Sequence, residues 1–134
     1  MVSGMNYLSE NLSSNDIKAV EIFVKRLLSE FGPDVIDVRL YGSKARDEAA
    51  ADSDLDLLVL VHRPDYALKH AILWLAAEVS LAWDVLLSPR VIPYDAWRQM
   101  IEAETLFYRT ICAEGISLMT SSPVSKATQQ SIAD

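Results

Sequence analysis

The 134-residue chain has one cysteine, Cys112, and only two histidines, His62 and His70. A single thiol excludes an intrachain disulfide and a multi-cysteine zinc site. The longest uninterrupted apolar run, Ala71 to Ala77, falls far short of the roughly 20 residues that span a bilayer. The N-terminus, Met1-Val2-Ser3-Gly4-Met5, has no basic stretch followed by an apolar core, so no secretory signal is expected. Positive charge is scarce too: Lys and Arg total 12 against 19 Asp and Glu, a net charge of −7. That balance argues against direct nucleic-acid binding, which needs cations to displace counterions from phosphates, and is compatible with a basic protein partner. What is present, 51% hydrophobic and 23% charged residues, is the mix of one globular domain. The expected setting is the cytoplasm.

Ser13-Ser14-Asn15-Asp16 offers side chains that accept hydrogen bonds from a helix start. Val20, Phe23, Val24, Leu27, Leu28 and Phe31 follow at three- and four-residue spacing, and Gly32-Pro33 stops the run, so a helix is expected at about 13–31. Val35 to Tyr41 favours a strand ending in Gly42-Ser43, and Leu55 to Val61 reads as a strand buried on both faces. A short helical turn is expected at Lys44 to Ala49. Pro64 is placed to open a helix carrying Ala67, His70, Ala71, Trp74, Leu75 and Val79 at helical spacing. Trp83 to Leu87 reads as a third strand, Tyr94 to Ala113 as one last helix, and Ile116 to Met119 as a short strand. The tail 120–134, rich in Ser, Thr, Gln and Ala, is expected to be mobile beyond a 1–119 domain. Helices and strands alternating around a small mixed sheet of about four strands give an α/β (α+β) fold.

Two pieces carry chemistry. Gly42-Ser43 ends the first strand, and Asp54-Leu55-Asp56 begins the second. Residues i and i+2 of a strand point the same way, about 6.6–7 Å apart along the chain. Asp54 and Asp56 therefore share a face with Leu58 and Leu60, and stand where the strand emerges from the core. Paired carboxylates repel unless a cation is present. Mg²⁺ suits them, because it takes hard oxygen ligands and binds one or two carboxylates together with substrate phosphates. Glycine lets phosphate approach the backbone, Ser43 can donate to it, and Lys44 and Arg46 are nearby cations. A third carboxylate is expected on a neighbouring strand, and Asp84 is the candidate. Three acids and two Mg²⁺ ions would activate a hydroxyl and stabilise a pyrophosphate leaving group.

Leu40-Tyr41-Gly42-Ser43-Lys44-Ala45-Arg46, then Ser53-Asp54-Leu55-Asp56-Leu57-Leu58-Val59, resembles the signature of the nucleotidyltransferase superfamily that includes DNA polymerase beta. The size resembles its minimal nucleotidyltransferase (MNT) branch, over roughly residues 15–119. That resemblance implies a nucleotidyltransferase fold, ATP as substrate, and an antitoxin that transfers AMP to a tyrosine of a HEPN-domain ribonuclease toxin and assembles with it. By the same resemblance Gly42, Ser43, Lys44 and Arg46 bind nucleotide, while Asp54, Asp56 and Asp84 bind metal and act in catalysis. Asp47 stands where the family commonly has Gly, which adds negative charge near the triphosphate and favours an alternative: an antitoxin acting by stoichiometric binding.

Other features read as structural. Arg63 and His70 match the spacing of a HEPN ribonuclease motif, but His70 lies on a helix expected to pack it. Cys112 is expected to be a buried helix residue without a basic partner. Trp74, Trp83 and Trp97 are expected in the core or an interface.

Overall fold

The computed structural model describes residues 12–42 and 54–119. The elements run α1 (Ser14–Phe31), a single 3₁₀ turn (Gly32–Asp34), β1 (Val35–Tyr41), β2 (Leu55–Val61), α2 (Tyr66–Trp83), β3 (Leu87–Pro93), α3 (Tyr94–Glu102), α4 (Leu106–Glu114) and β4 (Ile116–Ser117). The order across the sheet is β3-β2-β1-β4. β1 is antiparallel to both β2 and β4, whereas β2 and β3 are parallel, because α2 carries the chain back between them. The mixed α/β architecture expected from the sequence is the one observed.

Local chemistry sets these boundaries. Ser13 caps α1: its Oγ accepts from the Asp16 amide, and Asp16 Oδ2 accepts from the Ser13 amide, both at 3.1 Å. Asp65, one residue after Pro64, caps α2 by accepting from the Leu68 amide at 3.0 Å.

The sheet is covered on both sides. Val38, Leu40, Leu55, Leu57 and Val59 face α1 and α2, meeting Val20, Phe23, Leu27, Ile72, Leu75 and Val79. Leu58 and Leu60 turn to the opposite side, where they pack with Ile92 of β3, Trp97 of α3 and Ile111 of α4. β2 is therefore buried on both faces beyond Asp56, as its apolar run over 57–61 requires. Fully burying one such Leu contributes about 1.5–3 kcal/mol.

The C-terminal half departs from the sequence reading in four places. First, Trp83 is the last residue of α2, not the first of a strand. Ser80 Oγ donates to the Ala76 carbonyl and accepts from the Leu87 amide, which ties the helix end to the first residue of β3. Second, the single helix expected over 94–113 is two: Glu104 adopts φ 49°, and Thr105 starts α4 by accepting from the Tyr108 amide. Third, α2 buries Ile72, Leu75, Ala76 and Val79, leaving His70 exposed against the Tyr66 ring and Trp74 70% exposed. Fourth, Cys112 is exposed rather than buried. Among the described residues no helix is long and apolar enough to cross a membrane.

Candidate active site

Asp54 precedes β2 and is exposed; Asp56, its second residue, is half-buried. Leu58 and Leu60 follow on the same face and sit in the α3–α4 core, so both aspartates belong to that side of the sheet, at the end where it opens to solvent. Tyr41, the last residue of β1, lies directly across from Asp56. Gly42 follows with φ +84°, a conformation L side chains rarely adopt. A Cβ on Gly42 would collide with Asp56 Oδ2, so the bare glycine backbone makes the space that the carboxylate fills. The strand–glycine–acid arrangement read from the sequence is thus a direct packing of one element on the other.

Asp84 does not supply the third carboxylate. Asp84 is not a strand residue; it caps the C-terminus of α2 in the left-handed region, φ 54° and ψ 47°. Among the described residues no three His, Cys, Asp or Glu side chains come together in a metal-binding group, so Asp84 does not join Asp54 and Asp56. The register explains the difference. β3 begins at Leu87, where the Leu55 amide donates to the Leu86 carbonyl at 2.9 Å. The residue across from Asp56 on β3 is Ser88, and Arg90 is the next on that face. Ser43, Lys44, Arg46 and Asp47, with the helical turn expected at 44–49, lie outside the described residues, as does the tail 120–134.

Residues that the sequence reading did not single out complete the surroundings. Tyr41, Asp56, Ser88 and Arg90, with Lys69 from α2, line a cavity of about 400 Å³ at the β3 edge. The Arg90 guanidinium lies 4.8 Å from the centre of the Phe107 ring, and Phe107 packs edge-on against Tyr41 with centroids 5.4 Å apart. Burial, and then the Asp56 carboxylate, push the Tyr41 phenol above its usual range, while Arg90 pulls it down. One signal in the sequence pointed to Tyr41: it immediately precedes the Gly-Ser pair. Arg90 could be found only once the start of β3 was known.

Deeper on the same face of β1, Arg39 Nε donates to Asp37 Oδ2 at 2.7 Å, with both side chains buried. The Val38 amide and Ser117 Oγ donate to Asp37 Oδ1, which pins β4 to the sheet. Every polar atom of this carboxylate has a partner, the condition under which a buried charge is tolerated.

Residues 20–112 match the family model described as Nucleotidyltransferase domain. Over 67 residues, 48% of this chain and 68% of the relative, the sequence is 39% identical to a Methanocaldococcus jannaschii protein named "Putative protein adenylyltransferase". Two crystal structures share the fold. One is a toxin–antitoxin with AMP-PNP, with a TM-score of 0.54 and 18% identity over 84% of this chain and 82% of that one. The other is a mutant of the toxin–antitoxin MntA-HpeT, with a TM-score of 0.53 and 19% identity over 84% and 81%.

Proposed function

The chain belongs to the nucleotidyltransferase domain family, and from that premise we propose that it transfers AMP from ATP to a tyrosine hydroxyl of a HEPN ribonuclease toxin, neutralising it as an antitoxin. The observation that carries this reading is the Asp54–Asp56 pair emerging from β2 against Gly42. The relative named for protein adenylyltransferase and the two toxin–antitoxin folds support the acceptor class and the partner.

The residues present fit a divalent ion. Two carboxylates on one face, one of them seated in a space that any Cβ at Gly42 would fill, offer hard oxygen donors and leave the remaining positions to phosphate and water. Asp54 and Asp56 would hold Mg²⁺, which when bound neutralises triphosphate charge and favours the ionised acceptor hydroxyl. Ser43, Lys44 and Arg46 would contact phosphate. In the transfer, the acceptor oxygen bonds to the α-phosphorus and the bond from that phosphorus to the bridging oxygen of the β-phosphate breaks. Pyrophosphate leaves, and Asp56 takes the hydroxyl proton and passes it to solvent. The net charge of −7 steers the chain toward a basic ribonuclease.

One observation favours a second reading. With Asp84 at a helix end, no third carboxylate joins the pair among the described residues, as would be the case in an antitoxin that acts by stoichiometric binding. Incubating the protein with the co-encoded toxin, labelled ATP and Mg²⁺ separates the two. The transferase predicts label on the toxin and a mass gain of one AMP on a tyrosine. Neutralisation with no label on the toxin overturns the transfer reading in favour of binding.

A further inference from the structure

We propose that Arg90 and Lys69 form the phosphate grip of this site, holding the triphosphate of the nucleotide across from the Asp54–Asp56 pair. The inference rests on the nucleotidyltransferase reading and assigns two residues that the sequence signature does not contain.

Four observations converge on it. Arg90 and Lys69 line the same cavity as Asp56, from two different elements, and among the described residues Asp56 is the only acid on its walls. In a chain of net charge −7, a cavity whose described walls carry two cations and one carboxylate runs against the overall balance. It suits a polyanion that arrives with a divalent ion on the acid. Second, β3 (Leu87–Pro93) carries no acid at all. Where a third carboxylate would stand across from Asp56, the register puts Ser88, followed on that face by Arg90. The positive charge that a fuller acidic cluster would recruit as an ion is supplied covalently.

Third, Arg90 is held in place. Its guanidinium lies against the Phe107 ring, which is itself packed on Tyr41 and Trp97, so one face of the fork is fixed while its N–H edge stays available. Fourth, Arg90 and Lys69 make no salt bridge among the described residues, unlike Arg26 and Arg39, which are committed to Glu30, Glu78 and Asp37. A planar fork with unspent donors matches phosphate oxygens two at a time, and an ammonium adds a movable point charge.

Calorimetric titration of AMP-PNP with Mg²⁺ into the full chain tests this. Arg90→Gln should weaken binding by roughly tenfold or more, the scale of a lost charge-assisted contact. Lys69→Gln should weaken it less, and Arg90→Lys, which keeps charge but loses the stacked fork, should fall between wild type and Arg90→Gln. Inorganic tripolyphosphate should displace the analogue from wild type and bind the Arg90→Gln, Lys69→Gln double variant poorly. Both residues are exposed, so thermal melts of the variants should match wild type and exclude misfolding as the cause. If wild type binds and the double variant binds within about twofold of it, the phosphate grip is overturned while the transferase reading stands. If wild type itself binds no nucleotide, the transferase reading falls, and this inference with it.

Discussion

The Asp56 carboxylate occupies the space that a side chain at Gly42 would need, so the end of β1 and the start of β2 define one another's shape. Gly42→Ala meets this in two ways. At φ +84° an L-residue costs about 1–2 kcal/mol. The new methyl also displaces the tip of Asp56, a movement that costs little in stability but relocates the oxygen proposed to hold Mg²⁺. Chemical denaturation should show the modest loss, and a transfer assay should show activity reduced by far more than that loss explains.

Asp54→Asn with Asp56→Asn should abolish AMP transfer while the chain still folds, because neither side chain is fully buried. Asp84→Asn, by contrast, should retain transfer to within about twofold, since it changes a helix cap rather than the acid pair. Asp84→Gly should raise stability by about 0.5–1 kcal/mol by relieving a left-handed residue, less the extra chain entropy of glycine. Circular dichroism melts and the labelled-ATP assay on the same preparations read both quantities. Loss of transfer in Asp84→Asn would restore that residue to the chemistry.

Tyr41 predicts an alkaline signature. Its phenol ionises at higher pH in the folded chain than in the unfolded one, so over that interval the unfolded state has lost the proton and the native state has kept it. Stability then falls with rising pH, starting near the ordinary tyrosine value of about 10. Urea midpoints taken from pH 9 to 11 should decline more steeply in wild type than in Tyr41→Phe.

The buried Asp37–Arg39 pair predicts a large single-site effect. Arg39→Met leaves the Asp37 carboxylate uncompensated and should cost about 3–5 kcal/mol. Adding Asp37→Asn should recover part of that loss, because the amide can still accept from the Val38 amide and Ser117 Oγ. Urea unfolding of the two variants measures the coupling directly.

The first half of this fold was legible in the sequence because each element carries its own punctuation. Ser13 and Asp16 cap α1, Gly32-Pro33 ends it, and Leu55–Val61 is long and apolar enough to have no other reading. The positions of the candidate site residues were legible to the same extent: Gly42, Asp54 and Asp56 lie where their strands put them. The rest failed at β3. Trp83 to Leu87 has strand-like residues, yet the helix continues to Trp83 because Ser80 links it to Leu87. β3 contains Pro89 and Pro93, which it tolerates because it lies at the sheet edge. A shift of the strand start from 83 to 87 left Asp84 at the helix end and put Arg90 on the cavity that Asp56 lines. The break at Glu104 has no glycine or proline to mark it; Thr105 was the only signal.

The parallel pairing of β2 with β3 also has a kinetic consequence. A β1–β2 hairpin can close early from nearby residues, but β3 reaches its place only after the whole of α2 has been made and folded back. Emerging from the ribosome, the chain would present its aspartates well before it has a completed pocket. Competence should therefore appear late and abruptly, once residues past 93 are free to dock, so that truncated translation products are inert rather than weakly active.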